Sequence, residues 1–252
     1  MTPNIHLTGY LGQNWYDIPL FNNDKFKVDS AENLRWGTKE LALQTNPYID
    51  GDSIQNIRGI SRDIEFTIKP IDDIGDFSSI FDDFARFLGK PVTLEWKNRT
   101  TPSGTAEVKI TGLMTECEAP LTENDTKITF TIHCKDPYWE GAAENLKNVS
   151  SVTIKGSAPP RVSIVEVASA TIPTVGYFKV GGWFFKAQTT DLTGKVVIMP
   201  PSSITVGGVS HIETIDNGMA AKDVPDEVIC RSLISGSLVN YNFDFLYYPR
   251  YY

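Results

Sequence analysis

Few side chains in this sequence are of the kinds that usually carry metals or act as nucleophiles. Its 252 residues include only three cysteines and three histidines. Cys117, Cys134 and Cys230 are too few for a disulfide framework. They fit a chain made in a reducing cytoplasm and leave a single Cys117–Cys134 bridge open. His6, His133 and His211 are scattered, with no HExxH, CxxC or HxH spacing, so no metal site is expected. No apolar run approaches the ~20 residues needed to cross a bilayer. The opening MTPNIHLTGY has no basic stretch leading into an apolar one, so no signal peptide is expected. Clusters of Lys and Arg are missing as well, and the net charge is −8. That argues against broad binding to nucleic acid or to an anionic membrane, both of which favour a basic face.

Patterns that mark enzymes are also missing. Val180-Gly-Gly-Trp183 and Val206-Gly-Gly-Val209 lie between strand patterns and read as hairpin turns, not phosphate loops. No G-x-S-x-G elbow occurs. A glycosidase would need two carboxylates ~5–10 Å apart in a cleft, and no pair is singled out by spacing. The acidic group Asp72, Asp73, Asp76, Asp82 and Asp83 lacks the alternation of a calcium loop. It reads as acids at and before a helix N-terminus, where the macrodipole favours them. The sequence therefore assigns no catalytic, cofactor-binding or metal-binding residues, and the chain is not expected to be an enzyme.

What is present is strand. Hydrophobic residues make up 41% of the chain and charged residues 21%, a balance that supports a packed core. Four stretches alternate strictly, as antiparallel strands with one wet face do. They place Ile64, Phe66 and Ile68 inward, then Val92, Leu94 and Trp96, then Ala106, Val108 and Ile110, then Ile128, Phe130, Ile132 and Cys134. One amphipathic helix is predicted between the first two. Phe77, Ile80, Phe81, Phe84 and Leu88 make its apolar stripe, Asp76 its N-cap, and Gly89 and Pro91 its stop. Composition turns polar and small around residues 140–150. Beyond that, short strands punctuated by Gly and Pro predict a β-sandwich or jelly roll. Its last strand alternates Tyr241, Phe243, Phe245 and Tyr247.

The stretch Ile128–Trp139, ITFTIHCKDPYW, tests whether a reactive site is hidden in a strand. Neighbours on a strand point to opposite faces, so His133 and Cys134 cannot share a metal or form a dyad. Asp136-Pro137 reads as the turn that ends the strand. Four tyrosines and an arginine crowd Tyr247–Tyr252. Tyr and Arg are enriched at interface hot spots, and the alternative is a final edge strand with an aromatic exposed face. The segment 35–60 is rich in turn residues, and an extended loop or hairpin that reaches a neighbouring subunit is expected there.

The order of these elements, with the run Cys134-Lys-Asp136-Pro137-Tyr-Trp139 as its most specific piece, resembles the siphophage distal tail proteins. These are the Dit-like hubs of long non-contractile tails. The resemblance covers about residues 50–140. It implies a ring-forming hub domain at 1–142 and a galectin-like or jelly-roll β-sandwich at 143–252, the whole being mainly β. The C-terminal stretch 242–252 is similar to that family's tyrosine- and arginine-containing last strand. Here Pro249 predicts a stop near Tyr248. By the same resemblance the chain is a structural virion protein at the phage tail tip or baseplate, made in the bacterial host cytoplasm. It would form a homo-hexamer ring, with the tail tube protein on one face and a tail-tip protein on the other. Baseplate or receptor-binding proteins would attach through the C-terminal domain. An acidic chain suits a DNA conduit, because such a lumen does not trap phosphates. The second reading is a carbohydrate-binding galectin-like module, to which Trp183 and His211 would contribute.

Overall fold

The computed structural model describes residues 2–34, 39–45, 52–59, 61–71, 77–101, 104–119, 126–199, 203–211 and 227–252. Among these residues the fold is mainly β with one helix, as expected. It divides into two compact units, residues 1–141 with Tyr252, and Ala142–Tyr251.

The first unit contains β1 (Ile5–Leu11), β2 (Asn14–Pro19), β3 (Phe26–Glu32), β4 (Lys39–Thr45), β5 (Asp52–Gly59) and β6 (Arg62–Pro70). After these come α1 (Phe77–Ala85), β7 (Pro91–Thr101), β8 (Gly104–Glu118), β9 (Ile128–Cys134) and β10 (Trp139–Gly141). Seven strands form one antiparallel sheet in the order β2-β1-β7-β8-β9-β6-β3, with β10 added on β8. The alternation seen in the sequence sets the register. Ile64, Phe66 and Ile68 lie opposite Ile132, Phe130 and Ile128, and all six are buried. A slip of one residue would expose all of them.

Helix α1 covers this face. Phe84 stacks on Phe130 with ring centroids 4.7 Å apart, and Phe130 stacks on Phe66 at 5.2 Å. Burying one such ring contributes about 1.5–3 kcal/mol. Phe77, Ile80 and Phe84 are buried as the stripe requires, but Leu88 is not; it is 49% exposed, and Phe87 is fully buried in its place. The cause is a change of helix type. Past Ala85 the backbone bonds become Phe87 N to Phe84 O and Leu88 N to Ala85 O, an i to i−3 pattern. A three-residue turn brings residue 87, not 88, beneath residue 84. Gly89 then stops the helix at φ 72°. The expected cap, Asp76, lies outside the described residues.

The second unit contains β11 (Glu144–Val149), β12 (Ser151–Thr153), β13 (Ala158–Ile172), β14 (Gly176–Val180), β15 (Trp183–Phe185) and β16 (Leu192–Met199). It continues with β17 (Ser203–Val206), β18 (Val209–His211), β19 (Glu227–Ile234), β20 (Ser237–Tyr241) and β21 (Phe243–Tyr251). Two sheets enclose one core. The first runs β18-β17-β16-β13-β21-β11. The second is built on β19, which pairs with β12, β14 and β20, and β15 pairs with β14. Val165, Val167, Val196, Phe243 and Phe245 from one sheet share a core with Phe178, Val180, Phe185 and Cys230 from the other. Both Gly-Gly stretches are hairpin turns, with Val180 opposite Trp183 and Val206 opposite Val209.

The C-terminal strand departs from expectation twice. It runs through Pro249 to Tyr251. The ladder to β13 breaks between Arg161 and Ala158, so Pro249 falls in a β-bulge where its missing N–H is harmless. Nor is it an edge strand, because β21 lies between β13 and β11.

Candidate assembly site

Among the described residues, none of the reactive side chains singled out in the sequence gathers into a chemical site. On β9, His133 is exposed and Cys134 is fully buried, on opposite faces. His133 meets Asp63 across the strand pair at 2.7 Å on the wet face. Cys117 lies opposite Phe130, four residues along from Cys134, so the bridge left open in the sequence does not form; all three cysteines are free. Burial pushes the Cys117 thiol up to about 11 and those of Cys134 and Cys230 to about 12. Such thiols stay protonated near neutral pH and are poor nucleophiles. No group of three His, Cys, Asp or Glu side chains suited to a metal occurs among the described residues.

An open cleft in the first unit is lined in part by Asp17, Asp24 and Asp83. Two of these acids already have partners, since Asp17 meets His6 at 2.6 Å and Asp83 meets Arg86 at 2.8 Å. Asp82 is exposed, and Asp72, Asp73 and Asp76 lie outside the described residues. Trp183 and His211, the residues considered for a sugar site, stand in different sheets of the second unit. The tyrosine cluster is engaged internally. Tyr247 and Tyr251 are buried. Arg161 lies 3.9 Å over the Tyr248 ring. Tyr252, counted with the first unit, packs its ring 5.5 Å from Tyr138 and accepts a hydrogen bond from Arg99 on its carbonyl. An exposed aromatic face is therefore not what this cluster makes.

The feature that stands apart is the hairpin β4–β5, a two-stranded sheet of its own. Its register runs from Lys39 opposite Gly59 to Thr45 opposite Asp52, with one bulge between Ala42 and Leu43. At roughly 3.3 Å per residue its arms extend about 25 Å. Among the described residues no third strand pairs with it. A two-stranded ribbon by itself is marginal in water, and a third strand or a packing surface stabilises it. The sheet it leaves has two edges, β2 and β3. On β3, desolvation raises the pKa of Asp29, but Lys69 and Lys127 at 3.4 and 3.5 Å outweigh it and hold the carboxyl below its ordinary value. Charges of this kind protect an edge from indiscriminate pairing.

Sequence reading missed Arg62. It is 4% exposed at the head of β6. The signal was available, since Arg62 has the same parity as Ile64, Phe66 and Ile68 and must point inward with them.

No protein-family model matches the chain, and no curated protein matches its sequence significantly. Its fold does match solved structures. The Dit (gp 19.1) protein of phage SPP1 aligns over 100% of both chains with a TM-score of 0.53 and 15% identity. A chain of the phage P2 baseplate in its activated conformation with Ca aligns over 99% of this chain and 98% of its own, at TM-score 0.47 and 13% identity. One from the phage p2 baseplate with Sr aligns over 98% of each, at 0.44 and 14%.

Proposed function

We propose that this chain is a structural hub protein of a phage tail tip. It closes with copies of itself into a hexameric ring at the distal end of a long non-contractile tail, joining the tail tube to tail-tip, baseplate or receptor-binding proteins. The observation that carries this reading is the end-to-end fold match with SPP1 Dit, which is described as a paradigm of the hub adsorption apparatus in Gram-positive-infecting phages. The hairpin adds a physical argument. A cyclic ring needs a heterologous interface, in which one face of a subunit meets a different face of the next. A ribbon lacking a third strand is suited to that, because pairing or packing on a neighbour supplies what it lacks.

Native mass spectrometry with negative-stain imaging tests the reading. Six copies of a 28.0 kDa chain give about 168 kDa, and the images should show a closed ring with a central hole. Removal of residues 35–60 should leave folded monomers and no ring. Rings at full yield after that deletion would refute the hairpin's part in closure. A chain that stays monomeric alone and also when mixed with tail tubes would refute the hub reading itself.

A further inference from the structure

The hairpin leaves and rejoins the sheet of the first unit at one fixed point. β3 ends with Glu32 opposite Glu65. The chain then turns at Asn33, which takes the left-handed conformation at φ 55°, a conformation that Asn tolerates. Three hydrogen bonds hold the turn. Arg62 Nη1 donates to the Asn33 carbonyl at 3.2 Å, Asn33 Nδ2 donates to the Asp63 carbonyl at 3.0 Å, and Trp139 Nε1 donates to the Leu34 carbonyl at 3.0 Å. Leu34, Arg62 and Trp139 are all buried. The strand into the hairpin is therefore tied both to the strand out of it, at Arg62 and Asp63, and to the fixed core, at Trp139.

Arg62 is a poor choice if stability alone is at stake. Its Nε and Nη2 are buried without a hydrogen-bond partner. Burial lowers its pKa, and Cys134, Asp136 and Tyr138 act against that shift. An apolar side chain of similar length often serves such a position as well or better. What an apolar chain cannot do is hold the Asn33 carbonyl.

We infer that Arg62 and Trp139 are positioning residues that fix the direction in which β4–β5 leaves the sheet, Arg62 with no gain in the stability of the first unit, and that this direction serves subunit joining. Only the joining part rests on the ring reading above. The inference also accounts for the run Cys134–Trp139. Asp136 Oδ1 accepts the Tyr138 N–H at 3.2 Å, closing the turn that carries the chain from β9 to β10. That turn delivers the Trp139 indole to Leu34 and sets Asp136 and Tyr138 beside Arg62.

The test compares Arg62→Met and Trp139→Phe with Thr8→Val. The control also removes a buried side-chain hydrogen bond in the first unit, the 3.2 Å bond from Thr8 Oγ1 to the Thr93 carbonyl, on β1, which β7, β8 and β9 separate from β6. Pulsed-EPR distances are measured between a label at residue 42 in β4 and one at exposed residue 105 in β8, alongside melting temperature and ring yield. Arg62→Met should melt at or above the wild-type temperature. Arg62→Met and Trp139→Phe should both broaden the distance distribution and lower ring yield about tenfold at equal concentration. Thr8→Val should change neither. Unchanged distance distributions in Arg62→Met and Trp139→Phe would overturn the inference, as would broadening in Thr8→Val equal to theirs. If the wild type forms no ring, either alone or mixed with tail tubes, the hub reading fails, and the distances still decide the anchor.

Discussion

The two units reach a packed core by different means. The first lays a single helix on one antiparallel sheet, with Phe84, Phe130 and Phe66 stacked in sequence. The second lays sheet on sheet, with Phe178 and Phe185 from one side meeting the Phe243 and Phe245 side. In the second unit every described strand joins one of the two sheets. Among the described residues of the first, β4 and β5 pair only with each other. The described strands of one unit all join its two sheets, and the other keeps a ribbon outside its sheet. That asymmetry puts the demand for a neighbour on the first unit.

Core truncation tests the comparison most strongly. Phe130→Ala should cost about 3–5 kcal/mol, and Phe178→Ala about the same. Calorimetry then asks whether each mutation lowers a different transition. A single transition lowered equally by both would show that the units unfold as one and would break the comparison.

Added methyl groups come next. Gly176→Ala would place Cβ 1.9 Å from the Leu233 carbonyl oxygen, at a backbone φ of +106°. Gly112→Ala would place it 2.7 Å from the His133 carbonyl oxygen, at an ordinary φ. Overpacking costs about 1–3 kcal/mol, and the left-handed backbone adds about 1–2 kcal/mol. Chemical denaturation should therefore rank Gly176→Ala as the more damaging. The reverse order would mean that the second unit yields more readily at this position than its close approach suggests.

A smaller effect sharpens the helix end. Leu88→Ala should change stability by less than about 0.5 kcal/mol, as exposed sites do, while Phe87→Ala should cost several times that. Equal losses would mean that the last turn does not tighten as described.

The smallest effect concerns acid. In the second unit, Asp244 accepts hydrogen bonds from Lys147 Nζ and from the Asn148 N–H, each at 2.8 Å. Both bonds hold its carboxyl below the ordinary 3.8. A group whose folded pKa is lowered contributes stability above its unfolded value and loses it as pH falls through the folded one. The deficit of Asp244→Asn against wild type should therefore be constant above about pH 4 and should shrink below it. A deficit that persists at lower pH would remove the carboxylate from the account.

Much of the fold could be read from the sequence, because strict alternation admits one placement. Arg62, Ile64, Phe66 and Ile68 could face only one way, and the Gly-Gly pairs could only turn. What could not be read depended on local geometry with no periodic signal. Leu88 gave way to Phe87 because two hydrogen bonds changed type after Ala85. Pro249 stayed within a strand because a bulge on the partner strand spared its missing donor. The candidate site was half legible. Turn residues marked the hairpin, but its root depends on a bond between Trp139 and Leu34, 105 positions apart. No local pattern announces a pairing of that kind.

The three free thiols have a consequence for how any assembly of this chain is held. Each is separate from the others, and none is readily ionised. Covalent linkage between copies through cysteine is therefore disfavoured. Such an assembly would be reversible, with its occupancy set by concentration and solvent. Denaturing gels run with and without reductant should show the same single band.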